Sequence, residues 1–95
     1  MNQPECITHP DGSKEWYLDG KLHREDGPAI EWADGTKIWL LNGKRHREDG
    51  HAVEYPDGSK YWFLDGEEIT LNTKNEDPKV KALQEIMKTQ EILEL

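Results

Sequence analysis

Two clusters of reactive side chains stand out in this sequence, the run His-Arg-Glu-Asp at residues 23–26 and the same run at residues 46–49. Each places an imidazole, a guanidinium and two carboxylates side by side, a set that can bind a divalent metal or carry acid–base catalysis. Metal ligands must converge on one point, whereas consecutive residues of a strand and turn point in different directions. The sequence therefore predicts structural clusters, with no metal, no cofactor and no catalytic residue.

The repeat pattern of the chain supports this interpretation. Three segments with a period of 23 residues begin at Asp11, Asp34 and Asp57. In the third segment Ile69 takes the place of His23 and His46, and a position that accepts isoleucine is a packing position. A fixed period of this length is typical of stacked arrays, in which each unit buries its apolar face against its neighbour.

Other catalytic or redox chemistry is not indicated. The single cysteine, Cys6, cannot form an intrachain disulfide, and its closeness to His9 in the sequence is a weak indication of a nucleophile and base. The first residues contain neither a basic start nor an apolar run, so we expect a cytoplasmic protein in a reducing environment. No stretch approaches the roughly 20 apolar residues that span a bilayer, so no membrane partner is expected.

The charge of the chain limits its partners. Twenty acidic and twelve basic residues give a net charge of −8, and only 34% of the residues are hydrophobic. A negative surface repels nucleic acid and anionic lipid, so direct nucleic-acid binding is not expected. It favours a protein partner that is basic, such as one that itself binds nucleic acid.

Each unit begins with an Asp-Gly pair and has an Asp-Gly or Asn-Gly pair eight residues later, and such pairs favour two-residue turns between antiparallel strands. The sequence therefore predicts a mainly β, overall α+β fold: a meander of three antiparallel β-hairpin units. If both turns have two residues, cross-strand neighbours place one set of apolar side chains on an inner face. That set is Ile7, Trp16, Leu18, Ile30, Trp32, Trp39, Leu41, Val53, Tyr55, Trp62 and Leu64. A register slip of one residue would exchange the two faces.

The outer face of this predicted sheet is the expected binding site. It carries large apolar residues that differ from unit to unit, with carboxylates around them, and such a patch is the usual appearance of an interface. The predicted binding residues are Tyr17, Glu31, Ile38, Leu40, Glu54, Tyr61 and Phe63.

After Leu71 the pattern changes to that of an amphipathic helix. Asp77-Pro78 is typical of an N-cap followed by proline at the first helical position. The apolar positions Val80, Leu83, Ile86, Met87 and Leu93 lie on one side of this helix. We expect one domain over 1–95, with repeats at 7–70, a linker at 71–76 and the helix at 77–94. The helix is expected to close the array, and the alternative is that it forms a homodimer with a second copy or pairs with a helix of a partner.

The string NGKRHREDGHAVEYPDGSKYWFLDG resembles a divergent MORN-type repeat. The segments HREDGPA and WYLDGK are similar to a repeat variant of small proteins from bacteriophages and large DNA viruses. This resemblance covers roughly residues 7–69 and implies a non-catalytic scaffold. Together with the acidic charge, it suggests a phage-encoded module that binds or inhibits a host defence macromolecule in the host cytoplasm. The alternative is a repeat protein that binds a small ligand such as choline, a carbohydrate or a nucleotide signal.

Overall fold

The computed structural model describes residues 3–74 and 76–93 of the chain, with side chains up to residue 90. These residues form ten short strands and one helix. The strands are β1 (Glu5–Thr8), β2 (Lys14–Leu18), β3 (Lys21–Leu22), β4 (Ile30–Glu31), β5 (Lys37–Ile38), β6 (Leu40–Leu41), β7 (Lys44–Arg45), β8 (Val53–Glu54), β9 (Lys60–Leu64) and β10 (Glu67–Ile69). The helix α1 is Pro78–Leu93. The predicted antiparallel β meander with a C-terminal helix is confirmed.

The strands of successive units join into one sheet. Its order is β1-β2-β4-β5-β8-β9-β10, with β3 paired to β2, while β6 and β7 form a separate two-stranded hairpin. Every pairing among these strands is antiparallel. Because β4 and β8 each pair with strands of two units, the sheet runs continuously through the array.

The second turn of each unit has the predicted two-residue geometry. In the middle unit Leu41 pairs with Lys44, and the two residues between them, Asn42 and Gly43, have φ values of 51° and 80°. Left-handed conformation at both central residues defines a type I′ turn, whose twist matches that of the flanking strands. Asparagine and glycine adopt this conformation at the least cost. The other two units repeat this turn at residues 19–20 and 65–66.

The first turn of each unit is longer than predicted. Glu31 pairs with Lys37, which leaves a five-residue loop closed by a hydrogen bond from the Trp32 N–H to the Thr36 carbonyl (2.9 Å). The Asp34 carboxylate accepts a hydrogen bond from the Thr36 N–H (2.8 Å), and the following glycine has φ 102°. This side-chain bond stabilises a turn with one left-handed residue instead of two. The two-residue assignment of this turn was therefore wrong.

The longer turn shifts the register by one residue and changes which residues share a face. Ile30 pairs with Ile38 instead of Trp39, and Ile38 pairs in turn with Val53. The row continues at both ends, as Ile7, Glu15, Ile30, Ile38, Val53 and Tyr61. Residues of the predicted inner and outer faces are thus mixed, and the face that carries Ile38 is the core face of the repeats.

Two apolar clusters stabilise the chain. The cluster within the repeats contains Ala29, Ile30, Ile38, Leu40 and Val53, with Leu22 and Phe63 packed against it. The second cluster lies between the last unit and the helix, and contains Leu64, Ile69, Val80, Leu83 and Met87, with Trp62 and Leu71 beside it. The helix therefore covers the tryptophan side of the last unit and closes that end of the array.

The helix begins as its sequence predicts. The Asp77 carboxylate accepts a hydrogen bond from the Lys79 N–H (2.8 Å), which is the expected N-cap. The predicted apolar residues Val80, Leu83 and Met87 are buried against the sheet. The predicted final residue of the helix, Glu94, lies outside the described residues, as does the side chain of Leu93.

Candidate functional site

The histidines of the two His-Arg-Glu-Asp clusters connect successive units. His46 is 8% exposed, and its Nδ1 accepts a hydrogen bond from the backbone N–H of Asp65 (2.9 Å), the first left-handed residue of the next unit's turn. The Asp65 carboxylate lies 3.4 Å from the same nitrogen, but the backbone N–H is nearer and supplies the proton. His23 accepts the same bond from Asn42 (2.9 Å). This geometry requires an unprotonated Nδ1.

The third unit explains why this histidine is replaced. Ile69 stands at the equivalent position, is 2% exposed and packs in the cluster beneath the helix. In this last unit an apolar side chain meets the helix, where His23 and His46 meet a turn. The prediction that this is a packing position is consistent with both environments.

The arginines of the clusters are held in a second repeated arrangement. The Arg47 guanidinium lies 4.1 Å from the centre of the Trp39 ring. Its Nε donates to Asp49 (3.0 Å), and its Nη1 donates to the carbonyl of His51 (3.0 Å). Gly50 lies against the guanidinium, where a Cβ would come within 2.9 Å of Arg47 Cζ. The first unit repeats these contacts with Arg24, Trp16, Asp26, Pro28 and Gly27.

The reactive groups of the two clusters are therefore engaged in holding turns and units together. The described part of the chain contains no group of three or more His, Cys, Asp or Glu side chains that could hold a metal ion. Cys6 is exposed on β1, and the His9 imidazole is paired with the Glu15 carboxylate.

The structure does not bring the predicted binding residues together on one exposed surface. Ile38 and Leu40 are 4% and 7% exposed and belong to the core of the repeats, so their predicted exposure is wrong. Phe63 is half-buried against the same core. The physical reason is the longer first turn, which places these residues on the same face as Ile30.

The remaining predicted binding residues are divided between the two faces. Glu31 and Glu54 lie on the opposite face from Ile38, where both pair with Lys37 in the cross-strand register. Tyr17 is half-buried, and its hydroxyl donates to Glu15 (3.2 Å). That carboxylate and burial raise the pKa of Tyr17, with burial the larger cause. Tyr61 is 41% exposed.

A different set of rings is exposed, at the first turn of each unit. Trp32 is 45% exposed and Tyr55 is 39% exposed, and both were predicted to lie in the inner face. His9 holds the same position in the first unit. We call His9, Trp32 and Tyr55 the aromatic edge. Tyr61 adds to this surface, because its ring meets Tyr55 edge-on with the ring centres 5.9 Å apart.

An open groove of about 520 Å³ lies between the first two turns of the aromatic edge, and we call it the turn groove. It is lined by His9, Asp11, Ser13, Glu15, Trp32, Ala33 and Asp34. The pKa of Asp11 is lowered because its carboxylate accepts hydrogen bonds from Ser13, and the pKa of Asp34 is lowered in the same way by Thr36. Both carboxylates are therefore charged near neutral pH, and the groove combines negative charge with an exposed indole ring.

The sequence contains an indication of this surface. Asp-Gly is followed by Ser or Thr in every first turn, and these residues favour an Asx-type turn over the two-residue turn. The ring residue lies two positions before each of these aspartates. With the longer turn, the ring residue falls inside the loop instead of the strand, and its exposure follows.

Comparisons of this chain with protein-family models, with curated proteins and with solved structures find no match. Among the described residues, no helix is long and apolar enough to cross a membrane.

Proposed function

We propose that this chain is a non-enzymatic protein-interaction module that binds a partner with a basic surface. The observation that carries the proposal is the aromatic edge, where exposed Trp32 and Tyr55 lie beside the turn carboxylates in a chain of net charge −8. Exposed rings supply binding energy when a partner covers them, and charges of one sign accelerate encounter with a partner of the other sign.

The arrangement of the histidine clusters supports a binding module over an enzyme. Catalysis requires a base or nucleophile that is free to reach a substrate. His46 instead accepts a backbone N–H, and Arg47 is stacked on a ring and bonded to a carbonyl. Groups used in this way hold the fold, whereas Trp32 and Tyr55 remain exposed to a partner.

The more specific form of the proposal is a phage-encoded inhibitor of a host defence macromolecule that acts in the host cytoplasm. It draws on the resemblance of the His-Arg-Glu-Asp-Gly segments to repeats of small viral proteins. An acidic surface can occupy a basic groove that otherwise binds nucleic acid, because it satisfies the same cations. Such a partner would explain the excess of carboxylates.

A small-ligand function is the second candidate, and the turn groove is the observation that favours it. An indole ring beside carboxylates is the kind of site that accommodates a quaternary ammonium such as choline. The groove is open, however, and it buries little of a small ligand, whereas binding pockets for small molecules cover most of their ligand.

The experiment that tests the proposal starts with capture of host proteins on the immobilised chain and continues with each candidate as a purified protein. We expect direct binding by calorimetry to a basic, nucleic-acid-binding protein, with competition by duplex DNA and weaker binding at higher salt. Failure of every purified candidate to bind would contradict the proposal. A stoichiometric small ligand found in a parallel fluorescence screen would favour the second candidate.

A further inference from the structure

The chain binds its own guanidinium groups in one recurring arrangement. Arg24 and Arg47 lie 3.9 and 4.1 Å from the centres of Trp16 and Trp39, and a nearby carboxylate accepts a hydrogen bond from each Nε. The ring face attracts the cation, while the carboxylate fixes the orientation of the planar group. Ring, guanidinium and carboxylate thus form a three-part contact that occurs twice on the tryptophan face.

The turn groove repeats two of these three parts. Trp32 supplies the ring, and Asp11 and Asp34 supply carboxylates. Each carboxylate accepts the backbone N–H of its own turn, at 2.8 Å, and a side-chain hydrogen bond from the same Ser or Thr. An ionised carboxylate has about four acceptor sites, so each can still accept hydrogen bonds from a guanidinium. Among the described residues, the cation–π contacts are those of Arg24, Arg45 and Arg47, and none of them involves Trp32.

The groove is also held rigid before any partner arrives. The Trp32 backbone is bonded at both its N–H and its carbonyl within the turn, at 2.9 and 3.0 Å. The hydroxyl of Ser13 accepts a hydrogen bond from the N–H of Ala33 (2.9 Å), and this bond joins the turn at Asp11 to the turn at Asp34. A site that is already ordered loses little conformational entropy on binding.

We propose that the turn groove receives an arginine side chain from a basic segment of the protein partner, with the guanidinium on Trp32 and bonded to the carboxylates of Asp11 and Asp34. The inference rests on the proposed function, since it specifies how that partner is recognised. Arginine is favoured over lysine because its planar group can stack on the indole and bond a carboxylate at the same time.

The test uses the full chain and a synthetic peptide with three arginines spaced by glycines, together with a lysine version and tetramethylammonium. Binding is followed by NMR at the indole N–H of Trp32, which is identified as the signal lost in Trp32→Leu. The variants are Trp32→Leu and Asp34→Asn. Their matched controls are Tyr55→Leu and Asp57→Asn, which change the same positions of the next unit outside the groove. Asparagine keeps the side-chain oxygen that holds the turn.

We expect a saturable shift of the Trp32 signal with the arginine peptide, and binding about fivefold weaker in Trp32→Leu, as one cation–π contact implies. Asp34→Asn should weaken binding more than Asp57→Asn, and the lysine peptide should bind more weakly than the arginine peptide. The other indole signals should stay in place in Trp32→Leu, since the replaced side chain is exposed.

Three results would overturn the inference. Equal loss in the two aspartate variants with no loss in Trp32→Leu would show general charge attraction, and the proposed function would stand. Equal binding of tetramethylammonium and the peptide would make the groove a small-cation site. Absence of binding by wild type to every basic peptide and purified partner would refute the proposed function as well.

Discussion

Gly50 is the position at which one methyl group gives the sharpest test of the repeat architecture. A Cβ there would lie 2.9 Å from Cζ and 3.1 Å from Nη1 of Arg47, closer than carbon and nitrogen atoms approach without displacement. Gly50 is not among the glycines with positive φ, so alanine is acceptable to the backbone. We therefore expect Gly50→Ala to act only by pushing the guanidinium away from Trp39.

The size of the effect follows from the contacts that the guanidinium makes. Its stacking on Trp39 is worth about 0.5–1 kcal/mol. Its hydrogen bond to the His51 carbonyl contributes about 1–2 kcal/mol, since Arg47 is charged but partly exposed. The ion pair with Asp49, whose side chain is 83% exposed, adds little. Partial loss of these contacts predicts a decrease of about 1–2 kcal/mol in the free energy of unfolding, or roughly 5–15 °C in Tm.

Urea denaturation followed by tryptophan fluorescence of wild type, Gly50→Ala, Arg47→Ala and the double variant measures this effect as a cycle. In the Arg47→Ala background the added methyl group meets no guanidinium, so Gly50→Ala should be neutral or slightly stabilising. Gly58→Ala is a control for backbone strain alone. The new Cβ meets nothing within 4 Å, so any destabilisation comes from placing alanine at φ 93°. Equal destabilisation by Gly50→Ala with and without Arg47 would refute the steric explanation.

Three further predictions concern the links between units, the turns and the helix. His46→Ala should lower the free energy of unfolding by about 1–3 kcal/mol, because the backbone N–H of Asp65 loses its acceptor. His46→Asn should recover part of this loss, and an equal loss in both variants would contradict the role of His46 as that acceptor. The pKa values of Asp11, Asp34 and Asp57 lie below the ordinary 3.8, because each carboxylate accepts the backbone N–H of its turn. Their contribution to the free energy of unfolding is therefore complete above pH 3.8 and is lost as the pH falls through the lowered pKa values. Urea titrations between pH 6 and 2 should therefore show a smaller acid-induced loss in a triple Asp→Asn variant than in wild type, and parallel curves would refute the assignment. Leu83→Ala should cost about 2–5 kcal/mol, because the side chain is fully buried under the last unit, and an unchanged unfolding midpoint would show that the helix does not close the array.

The fold was predictable because its determinants are local and repeated. The period of 23 residues, the Asp-Pro start of the helix and the type I′ turns at Asn42-Gly43 are set by residues adjacent in the sequence. The register of the first turn was not predicted, because Asp-Gly fits both a two-residue turn and a longer one. The deciding contact is the carboxylate of Asp34 on the N–H of Thr36. A single extra residue in the first turn moved Ile38 from an expected surface into the core.

The candidate site was not predicted for the same reason, and its residues follow once the register is known. A double variant such as Leu40→Ala with Phe63→Ala, which the expected register would make a test of binding, is instead a core variant. It would be expected to lower stability, since Leu40 is buried and Phe63 packs against the same cluster. Binding variants belong on the aromatic edge, where a side chain can change without loss of packing.

Comparison of the units at equivalent positions separates residues that hold the array from residues that are open to a partner. The tryptophans at 16, 39 and 62 and the type I′ turns are kept in every unit. The histidine position is not kept, since Ile69 packs beneath the helix where His23 and His46 accept the N–H of a turn. His9, Trp32 and Tyr55 differ from one another although their turns have the same hydrogen bonds. The turn hydrogen bonds are therefore made whichever side chain stands at this position. The His9 side chain pairs with Glu15, whereas Trp32 and Tyr55 are exposed and are the rings that the proposed function assigns to a partner.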